Sequence, residues 1–419
     1  MTAPLVACAE PGNDEADDHA AGSAPYGLYA PGTFEQTSFE NVDLIYAQLG
    51  LESLEQFQDY TLGLIDDLGI SWVRIDFYYI DSEFIEYPDY MQKLHDRGIS
   101  VAGCIRPAFP VATAEMAEFE ADVRQLVAEH DDVEVWQMDN EPDLYKYPPA
   151  EYVEVFIAME HAVRDVCPGC RIALAGAAVP FNGGTRDREY FSQVMSGIAA
   201  RTGESRPFDI VDLHLYGRAG NYVTIPGLMD DYRRLFDANG FDGDISIWFT
   251  ECATYTGAPS QPPDYPPQTE EEQAAELLKR FATAAAEGAE RISWNRFYEN
   301  HQYGESANGY FDNTGLVYNG LGAEAASGTP AGTKKKAFFA YATLVRKTDG
   351  YSLVTRLAPG QFRYEFPDGR EPVYLLWAEA DAPLPPELGE RLSITDFMGQ
   401  SRETDGIELD SMPIFVENA

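Results

Sequence analysis

Two stretches of this chain end an apolar run in a carboxylate. The first is Val133 to Asp143, V-E-V-W-Q-M-D-N-E-P-D, in which Val133, Val135, Trp136 and Met138 lead into Asn140, Glu141 and Pro142. The second is I-S-I-W-F-T-E, Ile245 to Glu251. Pro142 cannot donate to a sheet and biases the residue before it towards extended backbone, so a strand is expected to stop with Glu141 extended and facing out of its end. A lone Glu-Pro can equally well open a loop, and Glu141 by itself leaves both readings open. A pair of such carboxylates suggests glycosidic bond cleavage. That chemistry needs one carboxyl group protonated to assist the leaving oxygen and another ionised to attack or to activate water.

The elements that must hold this pair follow a repeating rhythm from Pro25 onwards. Strands are predicted at Tyr26 to Ala30, Ser71 to Tyr79, Ser100 to Arg106, the Val133 run, Arg171 to Val179, Phe208 to Tyr216, Ile245 to Thr250 and Arg291 to Phe297. Helical spacing occupies Leu44 to Gly69, Phe84 to Arg97, Ala112 to Glu129, Ala150 to Val166, Glu189 to Arg201, Leu228 to Asn239, Glu270 to Gly288 and Lys335 to Lys347. Apolar strands alternating with helices predict a parallel sheet buried on both faces, and eight units predict a closed (β/α)8 TIM barrel over 25–350. A doubly wound open sheet is the alternative, but no Gly-x-Gly-x-x-Gly turn follows the first strand. Glu141 then caps the fourth strand and Glu251 the seventh, on the C-terminal rim where barrel chemistry sits. Beyond Gly350, short strand-like runs separated by turns such as Asp368-Gly369 predict a small all-β, sandwich-like domain over 351–419, packed on the barrel because its own core is marginal.

With Asn-Glu-Pro on the fourth strand and a Glu closing the seventh, the sequence resembles the clan A glycoside hydrolases, a group of (β/α)8 retaining glycosidases. The resemblance spans about Tyr26 to Gly350. It implies Glu141 as acid/base, Glu251 as nucleophile and Asn140 as the asparagine that bonds the sugar 2-hydroxyl. It also implies that His214 sits near the acid/base, that Tyr216 and Arg74 hold the nucleophile ionised, and that Trp294 is the aromatic floor under the sugar. Retention through a covalent glycosyl-enzyme would follow, with Glu141 kept neutral partly by the neighbouring carboxylate. Further rim candidates are Asp76, Tyr78, Tyr79, Arg106, Phe109, Tyr145, Asn295, Arg296 and Tyr298, since aromatic faces stack on sugars and charged or amide groups bond hydroxyls. The Pro- and Tyr-rich loop Thr254 to Thr269 is long enough to shape the cleft. The substrate is expected to be a β-linked polysaccharide or its oligosaccharides, with the sugar left open. A barrel that only binds carbohydrate, or a transglycosylase, remains as an alternative.

Composition narrows the partners. Asp+Glu 70 against Lys+Arg 29 gives a formal charge of −41, which repels nucleic acid and anionic membranes and suggests adaptation to high salt; an ordinary acidic secreted enzyme is the competing reading. Leu5-Val6-Ala7-Cys8 resembles a lipobox with no basic or apolar region before it, and the acidic, small-residue segment after it reads as a disordered tether over 1–24. A lipid anchor at Cys8 and an extracellular or cell-surface location are the corresponding expectations. Cys167-Pro-Gly-Cys170 is expected as a local disulfide or two free thiols, and Cys252 as a wall residue. No catalytic metal or other cofactor is indicated, as no His-Glu-x-x-His occurs. Asp312 to Gly315 reads as a turn in preference to a calcium loop, and Lys334 to Lys336 as a solvated basic face.

Overall fold

The computed structural model describes residues 25–29, 31–33, 42–144, 146–180, 183–241, 244–260, 265–299, 308–321, 328–379 and 383–419. The expected tether and Cys8 lie outside the described residues, as does Tyr145. Eight strands form the barrel: β1 (Tyr26–Tyr29), β2 (Trp72–Ile80), β4 (Ser100–Pro107), β5 (Val135–Asn140), β6 (Arg171–Ala178), β7 (Ile210–Leu215), β8 (Ser246–Cys252) and β9 (Ala289–Trp294). A two-residue strand β3 (Glu83–Phe84) hangs antiparallel on the end of β2. Neighbouring barrel strands pair in parallel in chain order, and β1 pairs with both β9 and β2, so the sheet closes on itself. The eight-stranded barrel is the architecture that the alternation predicts.

Inside the barrel, Ala102, Val135, Ala173, Ile210 and Trp248 form one apolar layer, while a much larger cluster lies between strands and helices. Gly27 and Gly103 create the room: a Cβ on either would fall within 2.7 Å of the Trp72 or Trp136 ring. The helix predicted over Leu44 to Gly69 is two helices, Val42–Leu49 and Leu54–Leu68, because Gly50 takes a left-handed turn and Ser53 caps the second. No helix among the described residues is long and apolar enough to cross a membrane.

The C-terminal region is a six-stranded antiparallel sheet in the order β10 (Leu353–Ala358), β11 (Gln361–Glu365), β12 (Val373–Leu376), β15 (Ile414–Asn418), β13 (Leu392–Thr395) and β14 (Ser401–Thr404). The sandwich expectation is thereby corrected to a single sheet among the described residues. Its Phe362, Tyr364, Leu375 and Phe415 face joins the barrel's helix layer. Tyr374, Leu376, Leu392 and Val416 on the other face are covered by loop residues such as Leu384, Leu388 and Leu409, so no second sheet is needed to bury them. Cys167 and Cys170 are joined in a disulfide ahead of β6, at the N-terminal end of the barrel. Lys335 corrects the solvated basic face. It is fully buried, paired with buried Glu299 and bonded to Thr256 Oγ1 at 2.8 Å, because it precedes the Lys336–Thr348 helix inside the barrel's packing. Asp312 lies in the turn Phe311–Asn313 and accepts from the Gly309 N–H at 2.6 Å.

Candidate active site

Glu251 sits one residue from the end of β8 and is nearly buried. One oxygen accepts from Arg74 Nη1 at 2.8 Å, and the other from Asn295 Nδ2 at 2.9 Å and from the Tyr216 hydroxyl. Burial opposes its ionisation, but the charges of His214 and Arg74 and the bond from Tyr216 outweigh it and hold the carboxyl below its ordinary range. Arg74, rising from β2, also bonds Asn140 Oδ1 at 2.6 Å and pairs with Asp76 at 3.3 Å. Because a guanidinium only donates, Asn140 must turn its oxygen to Arg74, which leaves its amide N–H groups for a ligand. Asp76 in turn pairs with Arg106 and accepts from Tyr29 at 2.8 Å. Despite burial, the two arginines hold it below the usual carboxylate range.

Glu141 is built differently. It follows β5 and its φ is 47°, with φ 76° at Asp139, so two side-chain-bearing residues occupy the left-handed region. The extended backbone expected from Pro142 is thus not what the chain adopts. The Glu141 N–H donates to Gly176 O at 3.1 Å, its carbonyl accepts from Leu144 N at 3.0 Å, and Lys146 grips Asp139 at 2.6 Å, so the turn is pinned on both sides. Strict alternation from Gln137, whose amide reaches Asp212, would turn Asn140 away from the lumen; the left-handed Asp139 resets that parity. The Glu141 carboxylate accepts from His214 Nδ1 at 2.8 Å and keeps its remaining face towards a cleft.

His214 joins the two carboxylates. It is fully buried on β7, with Nε2 3.1 Å from Asp212 Oδ2 and Nδ1 3.5 Å from Glu251. Burial pushes its pKa down, but Glu251 and Asp212 win and raise it to about 10, so it is an imidazolium donating from both nitrogens. Gly176 makes its place: a Cβ there would meet Nε2 at 2.0 Å. Ladder shifts between Asp212 and His214, and between Phe249 and Cys252, let these neighbouring strand ends crowd together. One oxygen of Glu141, one nitrogen of His214 and one oxygen of Glu251 all lie within 4.8 Å of one another. A cation would need a lone pair on His214 that both carboxylate contacts take up as N–H, so this trio fits proton and sugar chemistry better than metal binding.

Of the residues named from sequence, Arg74, Asp76, Arg106, Asn140, Glu141, His214, Tyr216, Glu251 and Asn295 meet at this rim. Arg106 stacks over the Tyr78 ring at 4.7 Å, and Arg296 lies 5.8 Å from the Phe311 ring. Trp294 does not join them. It is fully buried, donates to Thr314 O at 3.0 Å and packs against Phe281, because β9 turns Ser293 and Asn295 inward and Trp294 out to the helices. Tyr79 and Tyr298 also face the helix layer, against Phe119 and Phe57, and Phe109 is an exposed surface residue. Phe311, which sequence reading passed over, packs edge-on to Tyr216 and lines a 380 Å³ cavity with Glu141, Leu144, Pro180 and Arg186. Asp212 was missed as well, although Asp212, His214 and Tyr216 fall on one face at period two. From the Thr254 to Thr269 loop, Tyr255 and Tyr265 pack beside Tyr310.

No family model matches the sequence, and no curated protein matches it. Solved structures do. A family 39 glycoside hydrolase from the gut symbiont Bacteroides cellulosilyticus WH2 superposes with a TM-score of 0.62 at 15% identity, over 94% of this chain and 81% of that one. A glucosidase from Croceicoccus marinus gives 0.58 at 14% identity, over 85% and 91%. The chain shares their fold. A putative β-galactosidase from Bacteroides fragilis gives 0.52 at 12% identity, over 94% of this chain and 50% of its own length.

Proposed function

We propose that this protein is a retaining β-glycosidase acting on a polysaccharide or its oligosaccharides. The observation that carries the reading is the unequal pair at the barrel rim: Glu251, saturated with donors and held ionised, and Glu141, one face open to a cleft, with oxygens within 4.8 Å. Retention calls for carboxyl groups about 5–5.5 Å apart, inversion for about 6.5–9.5 Å. The reacting form carries a proton on Glu141: Glu251 bonds to the anomeric carbon as the glycosidic bond breaks and the leaving oxygen takes that proton, and Glu141 then takes a proton from the water that displaces the sugar from Glu251. Arg74, Tyr216 and Asn295 aim the nucleophile, and the Asn140 amide is placed to donate to a sugar hydroxyl beside it. The likeness in fold to solved glycosidases adds support.

The test uses aryl β-glycosides with the product anomer followed by NMR. Retained product, with turnover abolished in Glu251→Gln, is the expected result; inverted product or an active Glu251→Gln enzyme overturns it. The formal charge of −41 and the Cys167–Cys170 disulfide support an extracellular or cell-surface enzyme adapted to high salt. Melting temperature should then rise between dilute buffer and molar NaCl, and a flat or falling trend removes the salt adaptation.

A further inference from the structure

The cavity beside Glu141 continues outward. Val179, Pro180 and Tyr216 wall both it and a second cavity of about 590 Å³, built on the ends of β6 and β7 and the helices that follow them. The inner cavity is lined by Glu141 and not by Glu251, so it lies on the side of the bond to which the proton is delivered, the leaving-group side. The outer cavity therefore receives whatever is attached beyond the first leaving-side unit.

Its charge is the reverse of the molecule's. Acidic residues outnumber basic ones 70 to 29 over the chain, yet among the described residues Arg188, Arg218 and Arg234 line this cavity with Asp231 as the one carboxylate. Asp231 is shared between Arg188, at 3.2 Å, and Arg234. Arg218 is exposed, and no carboxylate among the described residues lies within ion-pairing distance of it. Tyr265 and Tyr216 supply aromatic surface to the same cavity. A guanidinium fork fits a carboxylate or sulfate through two parallel hydrogen bonds, and a ring face suits a sugar's C–H face. A polyanion approaching a protein of charge −41 is repelled almost everywhere, so a local excess of arginine singles out this wall for an anionic ligand.

We propose that the outer leaving-side cavity binds an anionic sugar unit, a uronate or a sulfated residue, through Arg218 and Arg188. This rests on the glycosidase reading and narrows its substrate to acidic glycans. The test uses Glu251→Gln protein, which holds ligand without turning it over, titrated calorimetrically with an oligouronate, a sulfated oligosaccharide and the neutral parent of equal length. One anionic ligand should bind about tenfold or more tighter than the neutral one, the scale of a charge-assisted hydrogen bond, and the better of the two identifies the group. Adding the exposed substitution Arg218→Ala should remove most of that preference while neutral binding changes less than about twofold. Equal or tighter neutral binding, or a preference that survives Arg218→Ala, overturns the proposal. Wild-type protein assayed on the same ligands separates the two readings. Preferential anionic binding with no cleavage of any of them leaves the site standing and removes the glycosidase, whereas cleavage with no anionic preference does the opposite.

Discussion

The two ends of the barrel use the same residue types for opposite purposes. At the N-terminal end, Trp72 and Trp248 lie 5.7 Å apart with the Arg291 guanidinium over both rings, at 5.2 and 4.7 Å. Arg171 reaches both oxygens of Glu290, at 2.7 and 2.8 Å, and Trp248 Nε1 donates to the same carboxylate at 2.9 Å. Arg291 and Arg171 thus each have a ring or an acid as partner. At the C-terminal end, Arg74, His214, Glu251 and Glu141 are also paired, yet the backbone is left-handed at two side-chain-bearing residues and one carboxylate faces a cavity. The lower end is organised for packing, the upper for a charge that must move. Substitutions at the two ends should therefore separate stability from activity.

The largest effect belongs to Glu251→Gln. Turnover of an aryl β-glycoside should fall on the order of 10⁵-fold, as for loss of a nucleophile, while the melting temperature moves little because the amide keeps the shape and the Arg74 contact. Steady-state kinetics and a thermal melt on one preparation check both halves. Trp248→Ala at the other end should do the reverse, costing about 3–5 kcal/mol of stability by opening a cavity in the lumen layer, with kcat nearly unchanged where the protein remains folded. A urea titration measures it, and a drop in kcat that exceeded the loss of stability would erase the division between the ends.

Asp212→Asn tests what keeps the upper end charged. Asp212 accepts from His214 Nε2 at 3.1 Å and from Thr250 N and Gln137 Nε2, both at 2.8 Å, and it is fully buried. Removing its charge should bring the His214 pKa down from about 10 towards neutrality. The midpoint of the His214 ring titration, followed by NMR, should shift down by about one pH unit or more, and kcat should fall about tenfold. An unmoved midpoint would mean that the imidazolium is held by Glu251 alone.

How far the sequence foretold this site depends on what each residue's position rests on. The barrel and both carboxylates were readable because strand ends are marked by composition: an apolar run stops, and a polar residue follows. Trp294 was misjudged because the inward face of a strand depends on where its ladder shifts, and the shift between Phe249 and Cys252 leaves no local signature in β8 or β9. Glu141 was expected to be extended from Pro142 alone, a local preference overridden by the bonds to Gly176 and Leu144. Gly176 looked like one small residue among alanines, and its reason lies 38 positions away in the His214 ring. Period two along β7 did carry a usable signal for Asp212. Lys335 carried none, since only packing distinguishes it from its neighbours Lys334 and Lys336.

The smallest effect is Glu290→Gln, the same chemical change as the first placed at the other end. Glu290 is partly exposed, with a side chain at 35%, so water screens the pair with Arg171 and the loss should be only about 1 kcal/mol. Its carboxyl is opposed by burial but held at about 2, chiefly by Arg171. A folded pKa below the unfolded value of 4.5 means that its contribution is present above about pH 4.5 and is lost as pH falls towards 2. His214 runs the other way: raised from 6.5 to about 10, it contributes fully below about pH 6.5 and loses that contribution as pH rises through 10. Glu290→Gln should therefore flatten only the acid side of the stability profile, leaving the alkaline loss and kcat as in the wild type. Chemical unfolding at intervals from pH 3 to pH 10 would show this. A change confined to the alkaline side would mean that the two ends are electrostatically coupled through the lumen, despite the apolar layer of Ala102, Val135, Ala173 and Ile210 between them.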